Sequence, residues 1–140
     1  MTSPKTWELY AVKYGTLVER MRRESFVKLD PHDDGPMPID YYVWAAVSDD
    51  QTIVIDTGFD DAEATRRGRS LIRSVTDGLS TIGVEAATVS DVIVTHLHYD
   101  HIGGHAQFPA AKFHLQEKEM QFATGPHMCS HVVNGSFTPD

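Results

Sequence analysis

The sequence predicts a mixed α/β domain in which short helices cover a sheet. Three observations carry this reading. Runs rich in β-branched and aromatic residues recur, at Tyr41 to Val47, Thr52 to Ile55 and Val92 to Val94. Between them stand segments that begin and end with helix-capping residues. From Asp60 onward the two signals alternate, the order expected where helices pack on a sheet. The 140 residues, 41% apolar and 23% charged, read as one globular domain over positions 1–140.

Taken in order, Trp7 to Tyr14 alternates loosely and reads as the first strand. Asp30 to Asp40 (DPHDDGPMPID) reads as a loop, because prolines 31, 36 and 38 remove donors that regular pairing needs. Tyr41 to Val47 and Thr52 to Ile55, joined by Ser48-Asp49-Asp50-Gln51, form a hairpin. Asp60, Asp61 and Glu63 precede Arg66, Arg67 and Arg69, the charge order that suits a helix dipole, with Gly68 breaking the helix. A second helix runs from Ser74 to Thr81, with Ser74 as N-cap, Asp77 three residues on, and Gly83 as its stop. Val92-Ile93-Val94 is a short apolar run typical of a buried strand, Lys112 to Leu115 another strand, and Gln116 to Ala123 a helix ended by Gly125-Pro126. Asp140 stands where a helix N-cap would be, with no helix after it.

Composition narrows function. A formal charge of −8, from 12 basic and 20 acidic residues, argues against a nucleic-acid surface, which needs a basic stripe. The arginines at 20, 22 and 23 and at 66, 67 and 69 are each diluted by nearby acids. The single cysteine, Cys129, excludes an internal disulfide and a cysteine-rich zinc module, and reads as a lone buried thiol. No apolar run approaches the ~18 residues of a membrane span, and the N-terminus lacks a signal-peptide core, so the expected location is the cytoplasm.

Eight histidines remain, four of them between His96 and His105. The run His96-Leu97-His98-Tyr99-Asp100-His101 directly follows the buried strand. Side chains two apart on extended backbone point the same way, so His96 and His98 offer two imidazoles to one metal. Asp100 and His101, after the turn, offer a carboxylate and an imidazole to a second. Imidazole and carboxylate without thiolate suit zinc, iron, manganese or cobalt. Gly103-Gly104 is expected to let the backbone bend tightly and start a helix beside the metals.

HLHYDHIGG resembles the H-x-H-x-D-H signature of the metallo-β-lactamase superfamily, and Val54-Ile55-Asp56-Thr57-Gly58 is similar to that superfamily's earlier strand ending in D-T-G. The segments DPHDDGPMPIDYYVW and FPAAKFHLQEKEMQFATG resemble its N-acyl homoserine lactonase branch. Flavo-diiron members carry glutamate where this chain has His98; the most studied secreted β-lactamases lack a histidine at the position of His101, and the class that has one is exported. Processing nucleases share the motif, but the acidic charge argues against them.

The resemblance implies the N-terminal half of an αββα sandwich. It implies two divalent metal ions, zinc by preference, with His96 and His98 on the first, Asp100 and His101 on the second, and Asp56 supporting them from beneath. It further implies a hydrolase that opens a small lactone or ester by attack of metal-activated hydroxide, Asp100 passing the proton to the leaving oxygen. A thioesterase is the alternative within the fold. Family members are about twice this length, and their second half supplies a third histidine, a bridging aspartate and a further histidine. The chain is therefore expected to be a fragment or a truncated product. By itself it would be a weak metal binder or an interaction fragment, with an uncovered apolar half-sheet that favours a homodimer.

Other residues carry plainer expectations. Asp56-Thr57-Gly58 alone also fits an aspartic protease, but that enzyme needs two such carboxylates and only one copy occurs. His105 reads as a solvated or supporting residue, His32 as a turn residue, and His114 as a strand-face residue. His127 and His131 have nothing around them that places them near the metals, and Tyr99 either contacts substrate or covers the site.

Overall fold

The structure, a computed structural model, describes residues 5–28, 30–32 and 34–138. Asp140 and its expected capping position lie outside the described residues. Six strands form one mixed sheet: β1 (Glu8–Leu17), β2 (Ile39–Val47), β3 (Thr52–Ile55), β4 (Ser70–Leu71), β5 (Asp91–Val94) and β6 (Lys112–Leu115). Their order is β4-β1-β2-β3-β5-β6. The β1, β2 and β3 pairings are antiparallel, whereas β3 with β5 and β5 with β6 are parallel. Short helices α1 (Asp61–Arg67), α2 (Val75–Ser80) and α3 (Tyr99–Ile102) lie between strands, and α4 (Glu117–Ala123) and α5 (His131–Asn134) follow β6.

The expected elements are present, with differences at their ends. Asp60 caps α1 by accepting the Glu63 amide, and Gly68, at φ +64°, closes it; Ser74 caps α2 by accepting the Asp77 amide. The loop expected over 30–40 is shorter, since Ile39 and Asp40 already pair with Leu17 and Thr16. Pro36 bridges Met21, because the bonds run through its neighbours: Arg22 N donates to Gly35 O and Met37 N to Arg20 O. The proline's missing N–H is never needed. The two-residue β4 has no sequence signal of its own length.

Alternation sorts the sheet into two faces. Val12, Tyr41, Val43, Ala45, Val54 and Val92 point inward and are buried with Val75 and Leu79 of α2. Leu9, Tyr42, Trp44 and Ile93 point to the other face and are exposed. Between Lys13 and Gly15 the β1–β2 register slips, leaving Tyr14 as the extra residue of a bulge. Tyr14 keeps the inward phase of Val12 two residues before it and is fully buried, while the bulge brings Gly15 opposite Tyr41. In the core the Tyr14 ring meets Phe59 edge-on at 5.1 Å, and Phe59 meets Tyr41 at 5.1 Å and Tyr99 at 5.5 Å. Among the described residues no helix is long and apolar enough to cross a membrane.

Candidate metal centre

The parallel strands β3 and β5 end side by side, and the C-terminal edge of parallel strands is where open α/β sheets place their sites. After Ile55 the chain turns at Asp56, the only non-glycine with positive φ (+63°) among the described residues. The turn drives Asp56 under the end of β5. Its amide donates to Ile93 O at 2.8 Å, and its Oδ1 accepts the Thr95 amide at 2.8 Å. Oδ2 lies 2.7 Å from His101 Nδ1, so that nitrogen carries a proton toward the carboxylate and Nε2 is left as the donor atom. At 3% exposure Asp56 is a buried support rather than a solvent-facing group.

Above it the imidazoles gather. The rings of His96 and His101 lie 3.9 Å apart between centroids, and those of His96 and His98 4.5 Å. The Thr95 hydroxyl donates to Asp56 and lies 3.1 Å from His96 Nδ1 and 3.2 Å from His101 Nδ1. Asp100 Oδ2 stands 3.6 Å from His101 Nε2. The structure thus brings together all five residues singled out by the sequence, His96, His98, Asp100, His101 and Asp56.

Charge follows from this crowding. Burial holds His96 below the usual imidazole range, and the neighbouring His101 and His98 push it the same way. Burial also works against a charged His101, but the Asp56 hydrogen bond and the charges of Asp100 and Asp56 outweigh it and hold that ring above the usual range.

The glycines act through close approach rather than bending. Gly103 and Gly104 have ordinary negative φ values, and α3 ends at Ile102 before them, with only a short 3-10 turn following from His105. A Cβ on Gly104 would sit 2.3 Å from Thr57 O, and one on Gly103 2.5 Å from Tyr99 O. Their absence of side chains lets Gly104 N donate to Gly58 O at 2.8 Å, locking the two loops together.

The remaining histidines go elsewhere. His105 contacts Ile102 O, His114 pairs with Asp91 at 2.8 Å on the sheet face, and His32 sits in a turn closed by Asp30. His127 stacks on Phe122, and His131 begins the exposed α5. Cys129, expected to be buried, is exposed, because it ends a surface 3-10 turn after Pro126. Tyr99 forms part of the wall of the cavity that opens beside the cluster. It is buried, its hydroxyl 3.2 Å from Tyr41 Oη and accepting from Arg69 Nε at 3.0 Å, with the Arg67 guanidinium 3.8 Å from its ring centre.

Sequence reasoning missed four contributors. Thr95 sits one residue before the motif and was legible by adjacency. Tyr14, whose hydroxyl donates to Asp100 O at 3.1 Å, falls on the inward phase of the first strand, but its partner 86 residues away is set by tertiary packing. Glu119 accepts the Leu97 amide at 3.3 Å from 22 residues away. Phe137 places its ring 5.0 Å from His98, edge to face, and its segment is tied down by Arg67, which donates to Gly135 O and Phe137 O.

Three imidazoles and a carboxylate, with no thiolate, suit a borderline divalent cation in kind. In number they are part of a shell. Among the described residues no three His, Cys, Asp or Glu side chains are arranged to hold an ion by themselves. Beside the cluster a cavity of about 410 Å³ opens between α1 and the motif loop, lined by Glu63, Arg66, Leu97, Ile102, His105 and Thr138.

Comparison with known proteins agrees with this geometry. Probable metallo-hydrolases of Mycobacterium bovis and Mycobacterium tuberculosis are each 30% identical, over 67% of this chain and 40% of theirs. Among solved structures, an N-acyl homoserine lactone hydrolase with N-hexanoyl-L-homoserine at its catalytic metal centre superposes with a TM-score of 0.63 at 19% identity. It covers 89% of this chain and 53% of that one. A dizinc quorum-quenching lactonase superposes at 0.64 with 21% identity, covering 85% and 46%. The chain spans 40% of the curated relatives it matches and about half of these solved chains. The profile of the metallo-beta-lactamase superfamily matches residues 35–131, more than half of the chain, which therefore belongs to that superfamily.

Proposed function

We propose that this chain carries the N-terminal share of a metal-dependent hydrolase site that opens lactone rings. The observation that carries the reading is the convergence of His96, His98 and His101 above Asp56 at the end of β5. The fold-level likeness to lactone hydrolases supports the substrate class. His96 and His98 would hold one divalent ion and Asp100 with His101 a second, zinc being suited to such donors. Such ions, when bound, lower the pKa of water toward neutrality and polarise a carbonyl.

The chain's own residues do the rest. Asp56 keeps His101 in the tautomer that presents Nε2. Asp100, its backbone held by Tyr14, takes the proton that attacking water loses and returns it to the ring oxygen as the acyl C–O bond breaks. The product is the hydroxy acid, and atoms balance with one water consumed. The partner is a small lactone or ester, and the acidic surface argues against nucleic acid.

A specific observation favours a second reading for the 140-residue chain by itself: no three donors among the described residues close on an ion. Alone, it is a weak metal binder with slow turnover. The test is zinc binding by equilibrium dialysis, run beside lactone ring opening followed as a pH drop. Zinc retention and slow, chelator-sensitive turnover are expected, both abolished by joint replacement of His96 and His98 with Ala. A chain that retains no zinc sinks the metal reading. Turnover matching a full-length relative, lost in His98→Ala, overturns the incompleteness of the isolated site.

A further inference from the structure

Glu119 lies in the first turn of α4, where Glu117, Lys118 and Met120 are exposed and it alone is half-buried. Its Oε2 accepts the Leu97 N–H at 3.3 Å, from an element 22 residues downstream. Leu97 is the residue between His96 and His98. The sheet has run out at this point: Val94 pairs with Leu115 as the last β5–β6 match. Three more steps of that register would set Leu97 opposite Lys118, but the chain has by then turned into α4.

The ordinary employment of a glutamate three residues into a helix is to bond back to the N-cap amide. Here α4 has no side-chain cap bond at Gln116, and the carboxylate reaches across to the motif loop instead.

We propose that Glu119 is a positioning residue for the His96–His98 pair. By holding the Leu97 amide it fixes the peptide between the two imidazoles, so that both rings, 4.5 Å apart, face one ion. The inference rests on the metal reading given above. It is selective, because Asp100 and His101 have anchors of their own: Tyr14 Oη donates to Asp100 O at 3.1 Å, and the Thr57 amide to His101 O at 2.7 Å. Losing Glu119 therefore loosens one pair of donors and leaves the other in place. If Glu119 merely favoured the α4 dipole, its charge would matter and its reach would not.

The experiment titrates the 140-residue chain with Co²⁺, reading visible absorption and competition with a chelator. Glu119→Ala and Glu119→Asp, neither able to reach Leu97, are expected to bind cobalt about tenfold or more weakly, with altered ligand-field bands. Glu119→Gln, which keeps an oxygen acceptor without the charge, is expected to stay within about threefold of the parent. Metal-free melting temperatures of the Asp and Gln variants should match. Parental affinity in Glu119→Asp, or equal weakness in Gln and Asp, overturns the proposal. A parent chain that binds no cobalt removes the metal reading itself and this inference with it, an outcome distinct from a bound parent with indifferent variants.

Discussion

The loops that leave β3 and β5 lie against each other and are built in opposite ways. Asp56, Thr57, Gly58 and Phe59 are all buried, whereas Thr95 is exposed and His96, Leu97 and His98 are half-exposed. The first loop turns its side chains inward: Asp56 to Thr95 and His101, Thr57 to His101 O, Phe59 into the aromatic core. The second turns its side chains outward and has its backbone held by others. Asp56 takes the amide of Thr95, Glu119 that of Leu97, and Ser136 O that of Tyr99. Amides leaving a sheet lose their ladder partners, and in this loop a carboxylate, a glutamate and a distant carbonyl replace them. One loop is the foundation, and the other is the working surface.

The largest test of that division acts where the loops touch. Gly104→Ala would drive a methyl carbon to 2.3 Å from Thr57 O, a backbone atom of the buried loop that has no rotamer to yield. The loops must part, breaking the Gly104 N to Gly58 O bond as well. A loss of about 3 kcal/mol or more is expected in urea unfolding, at the upper end for overpacking. A loss under about 1 kcal/mol would mean the loops are not locked together.

A second test separates the roles by comparing two carboxylates. Asp56→Ala leaves the Thr95 amide without an acceptor and His101 Nδ1 without its partner, and should cost about 2–3 kcal/mol. Asp100→Ala removes a partly exposed carboxylate whose backbone stays pinned by Tyr14, and should cost under about 1 kcal/mol. On the proposed metal reading the contrast reverses in kind: Asp100→Ala would remove a donor outright, whereas Asp56→Ala would loosen one. Equal stability losses in the two variants would erase the distinction between foundation and working surface.

This division also explains what could be read without coordinates. Most strands, the caps at Asp60 and Ser74 and the clustering of His96, His98, Asp100 and His101 rest on local patterns, namely alternation, capping chemistry and a six-residue motif, and were legible, whereas the two-residue β4 was not. Asp56 was legible through its strand ending. The backbone anchors were not. Tyr14 reaches Asp100 across 86 residues, a contact that strand alternation by itself does not announce, and Glu119 looks in sequence like any first-turn acid. Cys129 went wrong for the same reason: a lone thiol is usually buried, and only tertiary placement puts this one on a surface turn.

The smallest effect comes from the helix that follows the foundation loop. In α1, Glu63 accepts from Arg66, Arg67 and Thr138 Oγ1, and Arg67 in turn holds Gly135 O and Phe137 O, whose segment lies against His98. The foundation thereby also ties down part of the cover over the working surface. The Arg66 hydrogen bond is the largest influence on Glu63; burial opposes it, Arg67 and Thr138 reinforce it, and the carboxyl is held down at about 2. A depressed carboxyl stabilises the fold above its unfolded value and loses that contribution as pH falls through the folded one. The stability from Glu63 is thus full above about pH 4.5 and drains away toward pH 2. Arg66 is half-exposed, so solvent screening leaves about 1 kcal/mol of it. Urea midpoints at pH 5 and pH 3 should therefore fall further for the parent chain than for Glu63→Gln, with cleavage after residue 130 rising in step. Parallel falls in both proteins would mean that the segment over His98 is held without Glu63, and that the two loops meet only at Gly58 and Gly104.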